Sequence, residues 1–339
     1  MRYQSYLLIA GLALTVVAHG QSKVEAVMNR FAQDEPSVSV AVIDNGKFVT
    51  ASRGLANVET RVKATTATNY RLASLTKQFT AAAILLLAQD GKLKLTQSLD
   101  EFLPGLPAYA RNVSVRNLLT HTGGLWDYED AIPTTQKTPF KDAEAVRFSM
   151  SHATPAFPAG AKFQYSNTGY AALAEIVRVV SGVRFSEFLK TRIFEPAGMT
   201  GTMAYEEGIN VVTNRAYGYT GLKRTDQDIT SSVLGDGGVY SSITDMVRWN
   251  EALERGNIVS RNSLDEATRT SSLTKQYGYG WFIDPYGTHR RHWHTGETIG
   301  FRTAIQRFPD SKLVVIVLSN RGKLDAGKLS LEVADLYIK

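Results

Sequence analysis

Three short clusters of residues in this chain have types and spacings that could do chemistry, and the first is Ser74-Leu75-Thr76-Lys77. A serine and a lysine three positions apart at the start of a helix lie on one face, so their side chains can meet. Serine is a weak nucleophile at neutral pH; a neighbouring amine able to take its proton activates it, and burial favours a free amine over an ammonium. The start of a helix adds free N–H groups and a positive dipole end, which suit a developing oxyanion. Read alone, the same residues are a surface serine and lysine that begin an ordinary helix, continued by the apolar run Gln78 to Gln89.

The second cluster is Tyr165-Ser166-Asn167. A phenol held near cationic groups is drawn toward phenolate and becomes a candidate proton shuttle, while the Asn167 amide can hold a lysine and a substrate carbonyl at once. A helix cap is its ordinary structural reading. The third is His294-Thr295-Gly296, followed by Glu297, between two expected strands. An imidazole, a hydroxyl and a glycine on a strand edge let an extended substrate lie alongside it. The N–H after Gly296, that of Glu297, can then pair with the N–H of Ser74 as an oxyanion hole. His292 and His294 alternate onto one strand face with His289 nearby, which raises a metal site, but no carboxylate stands at a ligand spacing and none is assigned.

The elements that must position these clusters follow from periodicity. Val24, Val27, Met28 and Phe31 recur at helical spacing. Ser37 to Ile43 and Lys47 to Ser52 are β-rich runs joined by Asn45-Gly46, a pair suited to a tight hairpin turn because both positions tolerate positive φ. A helix follows Ser74 and ends at Asp90-Gly91, with the glycine as C-cap. Further helices are expected at Val113 to Leu119, Asp142 to Ser149, Tyr170 to Ser181 and Phe185 to Ile193, and Ser242-Ile243-Thr244-Asp245 reads as the N-cap of another. Strands are expected at Tyr277 to Ile283, Arg290 to Thr295, Phe301 to Phe308 and Leu313 to Leu318, with turns at Asp284 to Gly287 and Pro309 to Lys312. Leu329, Val333 and Leu336 give a closing helix. The pattern is α+β: one antiparallel sheet flanked by N- and C-terminal helices, with a large, mainly helical region inserted. In residue numbers, 21–73 and 257–339 supply the sheet region and 74–256 the helical region of a single catalytic unit, and Ser74 falls where the two meet.

Composition narrows the class. A chain of 339 residues with 43% hydrophobic residues can bury a large core, and zero cysteines exclude disulfides and thiolate chemistry. The net charge of +6 comes from scattered Lys and Arg with no dense basic block, so nucleic acid is not implied. Arg2, the apolar run Tyr6 to Val17 and the small residues around Ala18-His19-Gly20 read as a cleaved export signal over residues 1–20. The run is shorter than the roughly 20 residues a membrane-spanning helix needs. The expected location is therefore periplasmic or secreted, with no stable membrane span after cleavage.

In order, the three clusters resemble the Ser-x-x-Lys, Tyr-x-Asn and Lys/His-Thr-Gly set of serine β-lactamases and D-alanyl-D-alanine carboxypeptidases. The likeness is to the class C-like branch, which also holds D-aminopeptidases and related esterases. It extends to Leu118-Leu119-Thr120-His121-Thr122-Gly123-Gly124-Leu125, Phe157 to Asn167, Gly237-Gly238-Val239-Tyr240-Ser241, Tyr277 to Trp281 and Gly300-Phe301. The resemblance implies a β-lactamase/transpeptidase-like fold and an acyl-enzyme formed on Ser74. By it, Lys77 and Tyr165 share the general-base role, Asn167 positions substrate, and His294 with Thr295 lines the pocket and binds a substrate carboxylate or amide. The expected reaction is D-Ala-D-Ala carboxypeptidase or β-lactamase-like hydrolysis of a peptidoglycan stem peptide or β-lactam. A carboxylesterase acting on esters is one alternative, and a penicillin-binding sensor with negligible turnover is another. Neither a metal nor an organic cofactor is called for.

Three positions depart from the family pattern. His294 stands where class C β-lactamases usually carry lysine, which tilts the reading away from a dedicated β-lactamase. Glu297 stands where small residues are usual, so its carboxylate must turn outward or pair with Arg302. Gly123 replaces a frequent serine beside His121, which is read as scaffold.

Overall fold

The computed structural model describes residues 21–274 and 276–338. The expected export signal lies outside the described residues. Among those residues, no helix is long and apolar enough to cross a membrane.

Alternating side chains build the main sheet. Its six antiparallel strands run in the order Phe282–Tyr286, His289–Thr298, Phe301–Phe308, Leu313–Ser319, Val38–Asp44, Lys47–Arg53. Val38, Val40, Val42, Val315, Val317, Ala304 and Phe308 face the helix at 21–28 and the closing helix Ala326–Ala334. Their alternates Ala41, Ile43, Ile316, Leu318 and Ile305 face the helical region. The strand Leu313–Ser319 is buried at every position because both of its faces are covered. Asn45 and Gly46 turn the first hairpin at φ +49° and +79°, the left-handed region that this residue pair enters at little cost.

The helix Lys77–Gln89 is buried along nearly its whole length, with Phe79, Ile84, Leu85, Leu86 and Leu87 inside the larger core. Burying each such side chain contributes roughly 1.5–3 kcal/mol relative to leaving it in water, so this helix is anchored by packing more than by its own propensity. Helices Asn167–Ser181 and Ile243–Arg255 form around it, each started by a serine cap, Ser166 and Ser242, and each stopped by a left-handed glycine, Gly182 and Gly256. A small sheet of Tyr70–Arg71, Val239–Ser241 and Met203–Ala204 joins the main sheet to the helical region directly before Ser74.

Several boundaries differ from the sequence expectation. The helices begin at Val115 and Asn167, not at Val113 and Tyr170, the α-helix from Phe185 ends at Leu189, and the strand expected at Arg290 to Thr295 runs His289–Thr298. Residues 277–281 are irregular and the strand begins at Phe282, because Gly280 takes φ +78° against the start of the Lys77–Gln89 helix. Asp284 and Pro285 lie in that strand, on the outer edge of the sheet where a proline needs no ladder partner, and the turn moves to Gly287 and Thr288. Leu336 lies beyond the closing helix and is exposed.

Asn320, fully buried, ties the sheet to the loops. Its Oδ1 accepts from Ser37 N (2.6 Å) and Ser37 Oγ (3.0 Å), while Nδ2 donates to the carbonyls of Leu55, Ala56 and Tyr217. Asn320→Ala strands buried donors and acceptors on three segments, so it is expected to lower stability by about 3 kcal/mol. The check is the urea midpoint at unchanged m; a loss below about 1 kcal/mol would show that these groups find other partners.

Candidate active site

Ser74 sits in a 3₁₀ turn, Ala73–Thr76, that leads into the Lys77–Gln89 helix. The turn is bent sharply. Ala73 has φ +50°, a left-handed conformation that a non-glycine residue holds at a cost of about 1 kcal/mol or more. Tertiary hydrogen bonds hold it there: Leu72 N donates to Val239 O (2.8 Å), Val239 N to Thr76 Oγ1 (3.2 Å) and Thr303 Oγ1 to Leu72 O (2.7 Å). Ser74 is thereby presented half-exposed at the junction of sheet and helical region.

Lys77 is completely buried and its nitrogen has three acceptors: Asn167 Oδ1 at 2.7 Å, Asp236 O at 3.0 Å and Ser74 Oγ at 3.2 Å. Three acceptors match the three protons of an ammonium. The serine–lysine pair expected from spacing is therefore formed. Asn167 is fixed from both ends, since its backbone N–H donates to Asp127 Oδ2 (2.5 Å) while its side-chain oxygen receives Lys77. No hydrogen bond among the described residues uses its Nδ2, which leaves an amide donor for a substrate carbonyl.

Tyr165 places its ring 4.9 Å from the Lys77 nitrogen, and its buried hydroxyl has no hydrogen-bond partner. A buried unpaired hydroxyl carries a desolvation penalty unless a ligand, a water or the reaction uses it. Ser166 meanwhile caps its helix through Gly169 N (3.4 Å), so the structural and the chemical readings of the second cluster both hold, on adjacent residues.

The third cluster behaves differently from expectation. His294 is buried, with Nδ1 2.6 Å from Thr295 O and Nε2 3.1 Å from Tyr277 Oη. Burial, followed by the nearby Lys77 charge, pushes its pKa down to about 3. The ring is thus neutral, with Nδ1–H donating and Nε2 accepting from the phenol, and neither nitrogen is left for a substrate carboxylate. Thr295 pairs with Ala304 in the register, on the sheet face that meets the closing helix, and its methyl lies against Gly327. Its backbone, not its hydroxyl, belongs to the rim. Glu297 shares that face, is exposed, and reaches Arg302 at 3.6 Å. The carboxylate therefore turns from the site and leaves only its N–H to act.

Gly296 explains how the strand comes so close to Ser74. A Cβ there would lie 2.2 Å from Leu72 O, 2.3 Å from Thr303 Oγ1 and 3.2 Å from Ala73 Cβ, so only glycine lets the strand press onto the turn that carries Ser74. The neighbouring edge strand pairs with His289–Thr298 no further than Trp293, leaving the outer edge of the rest of that strand without a strand partner. Of the other histidines of the strand, His289 Nδ1 contacts Ser311 Oγ (2.9 Å), and His292 is buried beside its cross-strand partner Arg307 with its Nδ1 unpartnered among the described residues. Among the described residues no group of three or more His, Cys, Asp or Glu is gathered for a metal ion.

A family model for Beta-lactamase matches residues 9–337. The chain belongs to the Beta-lactamase family. A penicillin-binding protein of Bacillus subtilis is 32% identical over 74% of this chain and 60% of its own length. A D-aminopeptidase of Brucella canis is 27% identical over 84% of this chain and 56% of its own. The chain thus spans somewhat more than half the length of these curated relatives. Among solved structures, the D-amino acid amidase of Ochrobactrum anthropi superposes with a TM-score of 0.78 at 25% identity, covering 93% of this chain and 99% of the amidase. The Beta-lactamase-family architecture, an antiparallel sheet with helices, and its serine hydrolase relatives agree with the resemblance drawn from the three clusters.

Several residues of this site were not singled out from sequence. Asp127 anchors Asn167, Asp236 supplies a backbone acceptor to Lys77, and Tyr277 engages His294. Burial raises the carboxyl pKa of both Asp127 and Asp236, and Tyr128 Oη donates to Asp236 Oδ2 (2.8 Å). Each of the three lies in a stretch rich in turn residues, and nothing in its spacing marks it as a partner of Lys77 or His294.

Proposed function

We propose that this protein is a serine hydrolase that cleaves amide or ester bonds through an acyl-Ser74 intermediate. The observation that carries the reading is the buried Lys77 nitrogen shared by Ser74, Asn167 and Asp236 O, beside a phenol whose hydroxyl is unpaired. In the first half-reaction the Tyr165–Lys77 pair enters with one proton fewer than ammonium plus phenol, Ser74 Oγ attacks the carbonyl carbon, and the Ser74 proton passes to that vacant site on the pair. The N–H groups of Ser74 and Glu297 receive the oxyanion, and Asn167 Nδ2 orients the acyl portion. Collapse breaks the C–N or C–O bond, and the leaving group takes the proton back from the pair. Water then repeats the sequence on the ester, releasing the acid and restoring Ser74.

The substrate class follows from what the rim lacks. A carboxypeptidase or β-lactamase substrate carries a carboxylate, which calls for a cation at the strand edge. Here His294 is neutral with both nitrogens engaged. Arg302 shares the face of Ala304 and is held by Thr298 O, Phe301 O and Glu297. We therefore favour amides without a terminal carboxylate, in line with the amide named for the D-amino acid amidase relative, over the carboxypeptidase expectation. The same neutral rim supports a carboxylesterase as the second reading. The leader-like segment at residues 1–20 supports an exported enzyme, testable by cell fractionation.

A panel of D-phenylalanine amide, p-nitrophenyl butyrate, nitrocefin and a D-Ala-D-Ala peptide tests both steps. The expected result is a kcat/KM at least roughly tenfold higher for the amide or ester than for the two carboxylate-bearing substrates, with intact-mass adducts confined to Ser74. A preference for nitrocefin or the peptide would overturn the amide reading. Absence of any Ser74 adduct would overturn the hydrolase, and an adduct stable for hours would favour the sensor.

A further inference from the structure

The Tyr165 hydroxyl makes no hydrogen bond, so something other than its own polar contacts must set where the phenol stands. Phe282, Tyr277 and His294 stand around the ring with centroids 6.2–6.3 Å away, and His121 meets it closer and also holds its backbone neighbours. The backbone oxygen of His121 accepts from Gln164 N (2.9 Å) and its ring Nδ1 accepts from Ser166 N (3.1 Å), so one residue grips the chain immediately before and after Tyr165. The imidazole also stacks on the Tyr165 ring, with centroids 4.3 Å apart and planes at 32°. His121 is itself buried and fixed by the rings of Tyr277 at 4.5 Å, Tyr170 at 5.1 Å and Phe163 at 5.9 Å. Its φ of +55° places carbonyl and ring on the same stretch of chain.

We infer that His121 is the positioning residue for Tyr165, holding the phenol against the Ser74–Lys77 pair through a neutral imidazole that accepts the Ser166 N–H. This rests on the acyl-Ser74 reading above. A core aromatic of similar size would supply the stacking but not the acceptor, and an imidazolium would lose the lone pair at Nδ1. Burial first, then the Lys77 charge, holds the imidazole well below its ordinary pKa and keeps that lone pair available. Because Nδ1 accepts, the proton resides on Nε2, whose buried N–H has no partner. That unmatched donor is an energetic liability which simple packing would not select.

The test is a double-mutant cycle with His121→Phe and Tyr165→Phe, read as the burst rate of p-nitrophenolate from p-nitrophenyl butyrate per active site, with melting temperatures in parallel. Loss of the phenol is expected to slow the burst roughly 10²- to 10³-fold. His121→Phe is expected to slow it about 10- to 100-fold, the effect of a small misplacement of a reacting group, with KM little changed. In the Tyr165→Phe background His121→Phe should add less than about threefold, because both changes act on one unit. His121→Asn keeps an acceptor near the Nδ1 position and tolerates positive φ, so it should restore the burst to within about tenfold of wild type; if His121→Phe does not fold, this variant decides alone. Full additivity in the cycle, wild-type bursts from His121→Phe, or a His121→Asn loss as large as that of Tyr165→Phe would overturn the inference. If the wild type itself gives no Ser74-dependent burst, the hydrolase reading falls first, and the two failures are thereby distinguished.

Discussion

Lys77→Met is expected to slow acylation of Ser74 by roughly ten-thousand-fold or more, the scale seen when one member of a nucleophile–base unit is removed. Methionine fills a similar volume without a donor, so packing around the fully buried side chain is preserved while its three hydrogen bonds vanish. Two effects then act in the same direction. Ser74 loses the only side chain that hydrogen-bonds its Oγ among the described residues, and Asn167 loses the partner that orients its amide. The substitution also leaves Asn167 Oδ1 and Asp236 O short of a donor, so some loss of stability accompanies it. Stopped-flow labelling with a fluorescent penicillin or the p-nitrophenyl ester, beside circular dichroism and a melt, separates chemistry from folding. Acylation within tenfold of wild type in a folded Lys77→Met protein would remove the lysine from the mechanism.

The second large effect is expected at a residue with no functional group. Gly296→Val places a branched side chain where even a Cβ would stand 2.2 Å from Leu72 O and 2.3 Å from Thr303 Oγ1. Leu72 precedes the left-handed Ala73 that turns the chain into Ser74, so the strain is delivered to Ser74, the proposed nucleophile. Either the strand retreats and takes the Glu297 N–H with it, or the Thr303 to Leu72 hydrogen bond at 2.7 Å breaks and the turn relaxes. Both outcomes disturb the proposed oxyanion site, where loss of one donor is expected to slow acylation by roughly 10²- to 10³-fold. Overpacking adds about 1–3 kcal/mol of destabilisation, readable as a shift in the urea midpoint. A Gly296→Val protein that acylates at the wild-type rate would show that this strand is not the rim of the site.

Much of this molecule was legible along the chain. β-rich runs bounded by turn signals, Ser37 to Ile43, Lys47 to Ser52, Phe301 to Phe308 and Leu313 to Leu318, marked the central strands, because both signals act locally, whereas which face of each strand meets which helices did not show. Asn45-Gly46 and the serine caps at 166 and 242 act within a few residues of themselves, so their effects are readable locally. Ser74 and Lys77 meet through one helical turn, a distance that sequence spacing specifies. The family resemblance places His294 and Thr295 together in the pocket, whereas neighbours on a strand point to opposite faces and nothing local says which of the two faces the helical region.

What the sequence by itself determined, then, is most of the elements and which candidate groups stand close along the chain, because both rest on short-range geometry. Tertiary structure alone decided that His294 spends its nitrogens on Tyr277 and Thr295, that Glu297 turns to Arg302, and that Asp127 and Asp236 support the Asn167 and Lys77 groups. Most of those pairings join segments far apart in the chain, and the direction of a side chain's last bond depends on which neighbour folding brings to it.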